Sequence, residues 1–594
     1  HMKNLLLLCA ILGSTLPAEA GQVGSIHQSV RGHRLYGDLR VEQKDPAATV
    51  PMYFTVILYA ASGTLFSRAN VPANGRYEFL NVPNGELLRR PTARLLMASL
   101  ALANASRPEI FSYAANRKEY ISSKYITKVD TYVKKWGYSY AEGLSIVAER
   151  VNNLVLKSLL GRYANAIDSG VPDDDYLKNE LSTVRSVYRS QVEQGLEMMT
   201  KWGDAYVAML LSGTVIAVTL MISIAIYSPA GIETTLGMSY AIIFLICFGG
   251  NVLMYTSVPE DAKSHGLVTR SSKEQQTIHA MERIIIPLAI VSVIVMVLLG
   301  VSAGLIYLLI GILMAPLGII GFIDDSNITV RDSDFSTFIR SLGAVMGGQG
   351  MTAVYALATI DKKSLVALEP LVNSVYSKMN LGLDDKQVWD KFIGESGSNL
   401  IYKYLNIYLD TVTLGGPPDA IGTVVGSSML EQTLLREKKD MHARSFIILL
   451  VPMHIAMAGI FVVLYRIMVV LTGSVTTMMT KFQSQGAAAG GSGAAGGVSA
   501  DSALGGMSFF TNFPEKEMGV YVLISLTIIT VSNIFAARIV GGGDRYMFYF
   551  YAALFCLLTG LVLLVGPIAV GLFFSPEGLT KMAGGSGALG MYLV

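Results

Sequence analysis

The chain has 594 residues, 52% of them hydrophobic and only 15% charged, with a mean hydropathy of +0.47 and a formal net charge of +2. Soluble domains average about 25% charged residues, so the composition excludes an ordinary globular protein, and the near-neutral balance gives no case for a nucleic-acid partner. Cys9, Cys247 and Cys556 lie in apolar runs without metal-ligand spacing and imply neither a disulfide framework nor a metal centre.

His1-Met2 reads as a cloning scar. Lys3, the apolar run Leu5 to Leu12 and the small-residue site Ala18-Glu19-Ala20 then make a signal-peptide-like segment over 1–20. Residues 21–106 read as a small β-rich module. Strands are expected at Tyr36–Val41, Tyr53–Tyr59 and Arg76–Leu80, with turns at Asn74-Gly75 and Val82–Glu86. These residues resemble the carboxypeptidase regulatory-like β-sandwich. Leu87-Leu88-Arg89-Arg90-Pro91 stands where a last strand is expected, so the module reads as truncated or foreign.

Residues 107–203 alternate charged and apolar positions at helical spacing and form a first helical unit, ending in a long helix from Ser182 to Thr200 that leads towards the membrane. Residues 204–323 hold four spans, because a crossing needs about 20 mostly apolar residues. They run from Tyr206 to Tyr227, from Met238 to Val258, and as two helices within Ile284–Ile323 that turn at Gly300 and Ser302-Ala303-Gly304. Residues 324–444 form a second helical unit. Residues 445–594 hold three more spans, Phe446–Leu471, Gly519–Ile539 and Met547–Phe574, with a Gly-rich linker at 485–506. The interiors of the spans carry no Asp, Glu or Lys. His454 is expected to be a satisfied packing residue, and Arg466 lies near its span's end, where it snorkels or pairs. The fold class is therefore mainly α, a polytopic membrane protein with about seven transmembrane helices, two cytoplasmic helical-bundle units and a small β-rich N-terminal segment.

Basic residues fall on alternate loops. Lys263, Arg270, Lys273 and Arg283 follow the second span, Arg436 to Arg444 precedes the fifth, and Arg538 and Arg545 follow the sixth. The loops after the first and third spans have none. This bias sets both helical units in the cytoplasm and the Gly-rich loop outside. A cleaved signal peptide would reverse every loop. The bias recurs across several loops, so 1–106 is read as an added segment.

The two helical units share a pattern. Tyr163 is followed by Gly170 and Pro172, and Tyr408 by Gly415, Gly416 and Pro417, so that Gly lies seven and Pro nine residues after Tyr in both. Gly in a left-handed conformation stops one helix, and Pro suits the first turn of the next, which gives a helical hairpin.

These units resemble the type II secretion system protein F domain, above all its archaeal branch, the membrane platforms of type IV pili and the archaellum. The residues that carry the likeness are Gly161 through Pro172, then Phe338 to Gly343, Leu381-Gly382-Leu383, Glu395-Ser396-Gly397-Ser398 and Leu414 to Pro418. The resemblance implies a non-enzymatic, multi-pass platform in the cell membrane that couples a cytoplasmic hexameric ATPase to filament subunits, pilins or archaellins. It implies a homodimer among membrane lipids and no cofactor. The basic surfaces at Arg270 and Lys273, and at Arg436, Lys438 and Lys439, are the candidates for ATPase contact.

The alternative is a transporter or channel, whose usual mark is an ionisable residue or broken helix at mid-membrane. An enzyme is not expected, since the chain lacks G-x-x-x-x-G-K-[ST], H-E-x-x-H and G-x-S-x-G. Gly347-Gly348-Gln349-Gly350 lacks the following Lys of a phosphate loop and reads as a turn between helices.

Overall fold

The computed structural model describes residues 22–31, 34–42, 54–59, 65–71, 76–80, 92–103, 105–116, 123–151, 154–227, 232–258, 261–265, 267, 271–488, 514–543 and 545–574. The signal-like segment 1–20, Arg270 and 489–506 of the Gly-rich loop lie outside them. The chain divides into two compact units, one of residues 1–199, 256–273 and 325–440, the other of 200–255, 274–324 and 441–594.

In the first unit, β1 (Gln22–Arg31), β2 (Arg34–Glu42) and β5 (Arg76–Leu80) form an antiparallel sheet in the order β1-β2-β5, while β3 (Phe54–Tyr59) pairs with β4 (Leu65–Val71). Helices follow: α1 (Thr92–Leu102), α2 (Arg107–Asn116), α3 (Ser123–Trp136), α4 (Tyr140–Glu149) and α5 (Leu154–Asp168). Both helical segments expected from the sequence contribute to one hydrophobic core, in which Phe111, Phe335, Phe338, Phe392, Tyr404 and Tyr408 are buried.

The two Gly–Pro hairpins have the same geometry. After α5, Gly170 adopts φ +71°, its N–H bonds to Ile167 O (3.1 Å) and Val171 N–H bonds to Ala166 O (3.0 Å). α6 (Asp173–Tyr227) then starts with Asp173, Asp174 and Asp175, which favour a helix N-terminus. After α13 (Asn399–Thr413), Gly415 adopts φ +89°, with Gly415 N–H on Val412 O (3.0 Å) and Gly416 N–H on Thr411 O (3.2 Å), and α14 (Pro418–Ala488) follows. This is one cap motif used twice.

α9 (Ala303–Gln349) and α14 approach closely in this unit through small residues on both sides. A Cβ at Gly422 would lie 2.9 Å from Ile339 O and 3.1 Å from Gly343 Cα, and one at Gly426 would lie 2.9 Å from Ser336 O. Gly343 and Gly347 face Pro418 and Asp419 in the same way. The Gly-rich run ends α9, and Gly350 at φ +61° turns the chain towards α10 (Ala353–Thr359). The unit is completed by α11 (Glu369–Asn380) and α12 (Asp385–Ser396).

In the second unit the apolar runs form helices. Seven helices among the described residues are long and apolar enough to cross a membrane: parts of α6, α9 and α14, together with α7 (Ile232–Ser257), α8 (Lys273–Leu298), α15 (Glu515–Gly541) and α16 (Met547–Phe574). The turn expected near Gly300 is present, with φ +66° between α8 and α9. The boundaries expected at 203, 323 and 444 fall inside α6, α9 and α14, because neither Pro nor a left-handed Gly stands at those positions to stop a helix.

α9 and α16 interlock at heptad spacing. A Cβ at Gly304 would lie 2.9 Å from Leu564 Cγ, one at Gly311 2.6 Å from Leu557 Cγ, and one at Gly318 2.5 Å from Phe550 Cα. Glycines at every seventh position of one helix receive large residues at every seventh position of the other, running antiparallel. Close approach through small residues is how helices associate where no hydrophobic effect drives them together.

A buried polar chain links five helices of this unit. The Tyr206 hydroxyl donates to Asn533 Oδ1 (2.9 Å), Asn533 Nδ2 meets His454 Nδ1 (2.9 Å), and His454 Nε2 meets Thr559 Oγ1 (2.8 Å). Thr559 meets Thr530 Oγ1 (2.9 Å), whose own proton goes to Leu526 O (2.7 Å). Asn251 Nδ2 joins through Ser532 Oγ (2.7 Å). Because Asn533 Oδ1 accepts from Tyr206, its amide must donate to Nδ1, so His454 carries its proton on Nε2 and is a neutral, satisfied packing residue.

Candidate functional site

The segment 261–265, between α7 and α8, holds an Asp and a Lys two residues apart, Asp261 and Lys263. α9 presents Asp325 and Asp332 at i and i+7, hence on one face, and α14 presents Arg436, Lys439 and Asp440 within one turn. All seven meet in the interior of the first unit.

Arg436 is 8% exposed and forks its guanidinium between two carboxylates. Nε and Nη2 (3.0 Å) bond to Asp261, and Nη1 bonds to Asp332 at 2.5 Å. Nη2 also donates to Ala262 O (3.2 Å). Lys263, 5% exposed, reaches Asp325 at 2.9 Å and Asp440 at 3.0 Å. Asp332 also accepts from the Ser398 hydroxyl.

Ser398 places that carboxylate. Gly397, at φ +71°, ends α12, and Ser398 caps α13 by accepting from Leu400 N–H (3.1 Å) and Ile401 N–H (3.2 Å). The same turn holds the segment 261–265. Asn399 N–H donates to Lys263 O (2.8 Å), Asn399 Nδ2 to Ala262 O (3.0 Å), and His265 N–H to Gly397 O (3.3 Å). Arg331 Nη1 adds a bond to Ser396 O (3.1 Å). The motif Glu395-Ser396-Gly397-Ser398 is thus the seat of a segment more than 130 residues away in sequence.

The electrostatics follow from four carboxylates sharing three bases. Burial pushes the Asp332 carboxyl up to about 6, against the pull of Arg436 and Ser398, and Asp261 adds repulsion. Burial opposes the charge on Arg436, but Asp261 and Asp332 outweigh it and hold the guanidinium above its ordinary range. Lys263 likewise ends above its usual value, burial being outweighed by Asp325 and Asp440. Lys439 is pushed down by burial despite Asp261 and Asp440. Among the described residues no group of three or more His, Cys, Asp or Glu is placed to hold a metal. What the arrangement does physically is brace the segment 261–265, α9, the α12–α13 turn and α14 against one another.

This placement corrects the expectation that Arg436 and Lys439 form a basic surface. Both are buried and face carboxylates that lie far away in sequence. Lys438 remains partly exposed and pairs with Glu193 at 2.8 Å. Lys273 is exposed at the start of α8, and Arg270 lies outside the described residues. Asp261, Asp332 and Ser398 went unrecognised as a site, although the i, i+7 pair of aspartates on α9 is the signal from which an inward acidic face could be read. Of the repeat residues, Tyr163 is buried and bonds to Asp173 Oδ1 (3.1 Å), Gly170 and Pro172 make the first hairpin, and Gly415, Gly416 and Pro417 the second.

The fold and the site define a mainly helical protein with seven helices, among the described residues, long and apolar enough to cross a membrane, and with a buried ionic cluster that ties helices of the first unit together. Comparison with curated proteins finds similarity to Flagella accessory protein J of Methanocaldococcus jannaschii, 23% identical over 368 residues, which are 59% of this chain and 64% of that protein. Flagella accessory protein J of Methanococcus voltae is 22% identical over 340 residues, 54% of this chain and 59% of that protein. The chain thus spans about three fifths of the length of the curated relatives it matches. No family model and no solved structure matches.

Proposed function

We propose that this chain is a non-enzymatic platform in the cell membrane on which an archaellum or type IV pilus filament is assembled, in the manner of the type II secretion system protein F domain. The single observation that carries the reading is its similarity, over more than half of the chain, to two relatives both named Flagella accessory protein J. The helical segments face the cytoplasm, where a hexameric ATPase supplies the energy. Filament subunits, pilins or archaellins, are the other partner, and the platform works as a homodimer. Lys273, Lys438 and Arg270 are the remaining candidates from the sequence for ATPase contact.

The test is reconstitution of the full chain in nanodiscs with the purified cytoplasmic secretion ATPase of the same organism. The expected result is a stable complex with accelerated ATP hydrolysis and none by the chain alone, together with loss of filaments on deletion of the gene. Solute flux through the purified chain in liposomes, or substrate turnover by it alone, would overturn the reading.

A further inference from the structure

α3 reads Ser-Lys-Tyr-Ile-Thr-Lys-Val-Asp-Thr-Tyr-Val-Lys-Lys-Trp and is amphipathic. Ile126, Val129 and Tyr132 are buried in the core. Lys124, Lys128 and Lys135, at i, i+4 and i+11, lie on one opposite stripe at 100° per residue, and all three are exposed. The Lys124 and Lys128 ammoniums sit 5.0 and 5.9 Å from the Tyr125 ring centre. At the helix end Trp136 is 62% exposed, an unusual position for the most costly side chain to leave in water.

Trp136 is nonetheless held in place. Its ring lies 4.9 Å from that of Tyr132, edge-on, and Tyr138 meets Tyr132 edge-on at 6.2 Å. Arg150 Nη1 donates to Tyr132 Oη at 2.6 Å. Gly137, at φ +75°, turns the chain so that Tyr138 N–H returns to Tyr132 O (3.3 Å). Two nearby acids have partners of their own. Asp130 pairs with Lys134 at 2.9 Å, and Glu142 closes a capping box with Ser139.

We propose that this cation–aromatic surface, Lys124, Lys128, Lys135 and Trp136 supported by Tyr138 and Arg150, is the docking site for an acidic protein surface. The proposal rests on the platform reading, which makes that partner the ATPase. Trp, Tyr and Arg dominate the energetics of protein interfaces, and an anchor already ordered before binding loses little entropy. The four lysines of α3 against its one aspartate set the partner's sign. A helix that seats on a bilayer needs its apolar face free, and here that face is in the core.

The experiment measures binding of the same purified ATPase to the full chain in zwitterionic nanodiscs at low and high salt. The variants are Trp136→Ala, Lys128→Glu/Lys135→Glu, and Lys386→Glu as an exposed control. A hot-spot anchor predicts a loss of about 30-fold for Trp136→Ala, and the charge reversal should remove most of the salt dependence. Lys386→Glu should bind like wild type. Thermal melting of each disc-bound variant selects those that remain folded, with Lys135→Gln and Trp136→Phe as milder replacements. Unchanged affinity in folded variants refutes the site and leaves the platform reading standing. Failure of the wild-type chain to bind the ATPase refutes both. Quenching of tryptophan emission by brominated anionic lipid, in wild type but not in Trp136→Ala and without ATPase, refutes the site by showing a lipid seat.

Discussion

Arg436→Met is the perturbation that tests the ionic cluster most directly. The methionine fills much of the volume but leaves Asp261 and Asp332 facing each other without their shared guanidinium, and Asp332 is 1% exposed. Removing one partner of a buried pair costs about 3–5 kcal/mol, chiefly because the remaining charge is uncompensated. At 1.4 kcal/mol per tenfold this raises the opening of the segment 261–265 by a factor on the order of 10² to 4 × 10³. The readout is hydrogen exchange at two amides, Asn399 N–H on Lys263 O and His265 N–H on Gly397 O, which exchange only when the segment lifts off the turn. A second variant separates charge from shape. Arg436→Met with Asp261→Asn and Asp332→Asn removes the orphaned charges, and exchange should return most of the way to the wild-type rate. If Arg436→Met exchanges like wild type, or if the triple variant is no slower than the single one, the cluster is not what holds the segment.

Three further outcomes follow from the same reasoning. Gly318→Ala places a methyl 2.5 Å from the Phe550 Cα and should cost about 1–3 kcal/mol, seen as earlier labelling of the buried Cys247 and Cys556 by a thiol-reactive dye on heating, while Gly237→Ala, with open space around it, should leave the melt unchanged. His454→Phe removes two interhelical bonds, leaving the Asn533 amide N–H without its acceptor while Asn533 keeps Tyr206 and Thr559 keeps Thr530, a loss of about 1–3 kcal/mol in the same assay. Asp332 titrates higher folded than unfolded, so the folded state holds the extra proton between about pH 4 and 6 and its relative stability falls as pH rises through that window. Asp332→Asn should therefore gain in melting temperature relative to wild type from pH 4 to pH 6 and change no further above it.

The spans were legible because a run of about 20 apolar residues has few other fates. The turn at Gly300 was legible because small residues interrupt a run twice the needed length. The hairpins at Gly170 and Gly415 could be read locally, since Gly and Pro fix the backbone within a few residues. The cluster could not. Arg436, Lys438 and Lys439 form one basic run in the sequence, and a run gives no sign of acids 104 and 175 residues away on other elements. Lys263 entered the reading only as a marker of sidedness. Long-range pairing turned part of a presumed surface into an interior, and left Lys438 at the edge. The glycines of α9 were hidden for a similar reason, because their meaning lies in which residues of α16 come opposite.

That pairing has a consequence for motion. Gly304, Gly311 and Gly318 receive Leu564, Leu557 and Phe550 as the teeth of two vernier scales meet. Sliding one helix by a single residue turns every notch away by about 100° and drives side chains into backbone. The next register that brings notches back to the same face lies seven residues on, about 10.5 Å along the axis, and there large side chains fill only two of the three. Between these two positions there is no graded sequence of intermediates, so α16 travels with this stretch of α9 as a single solid part.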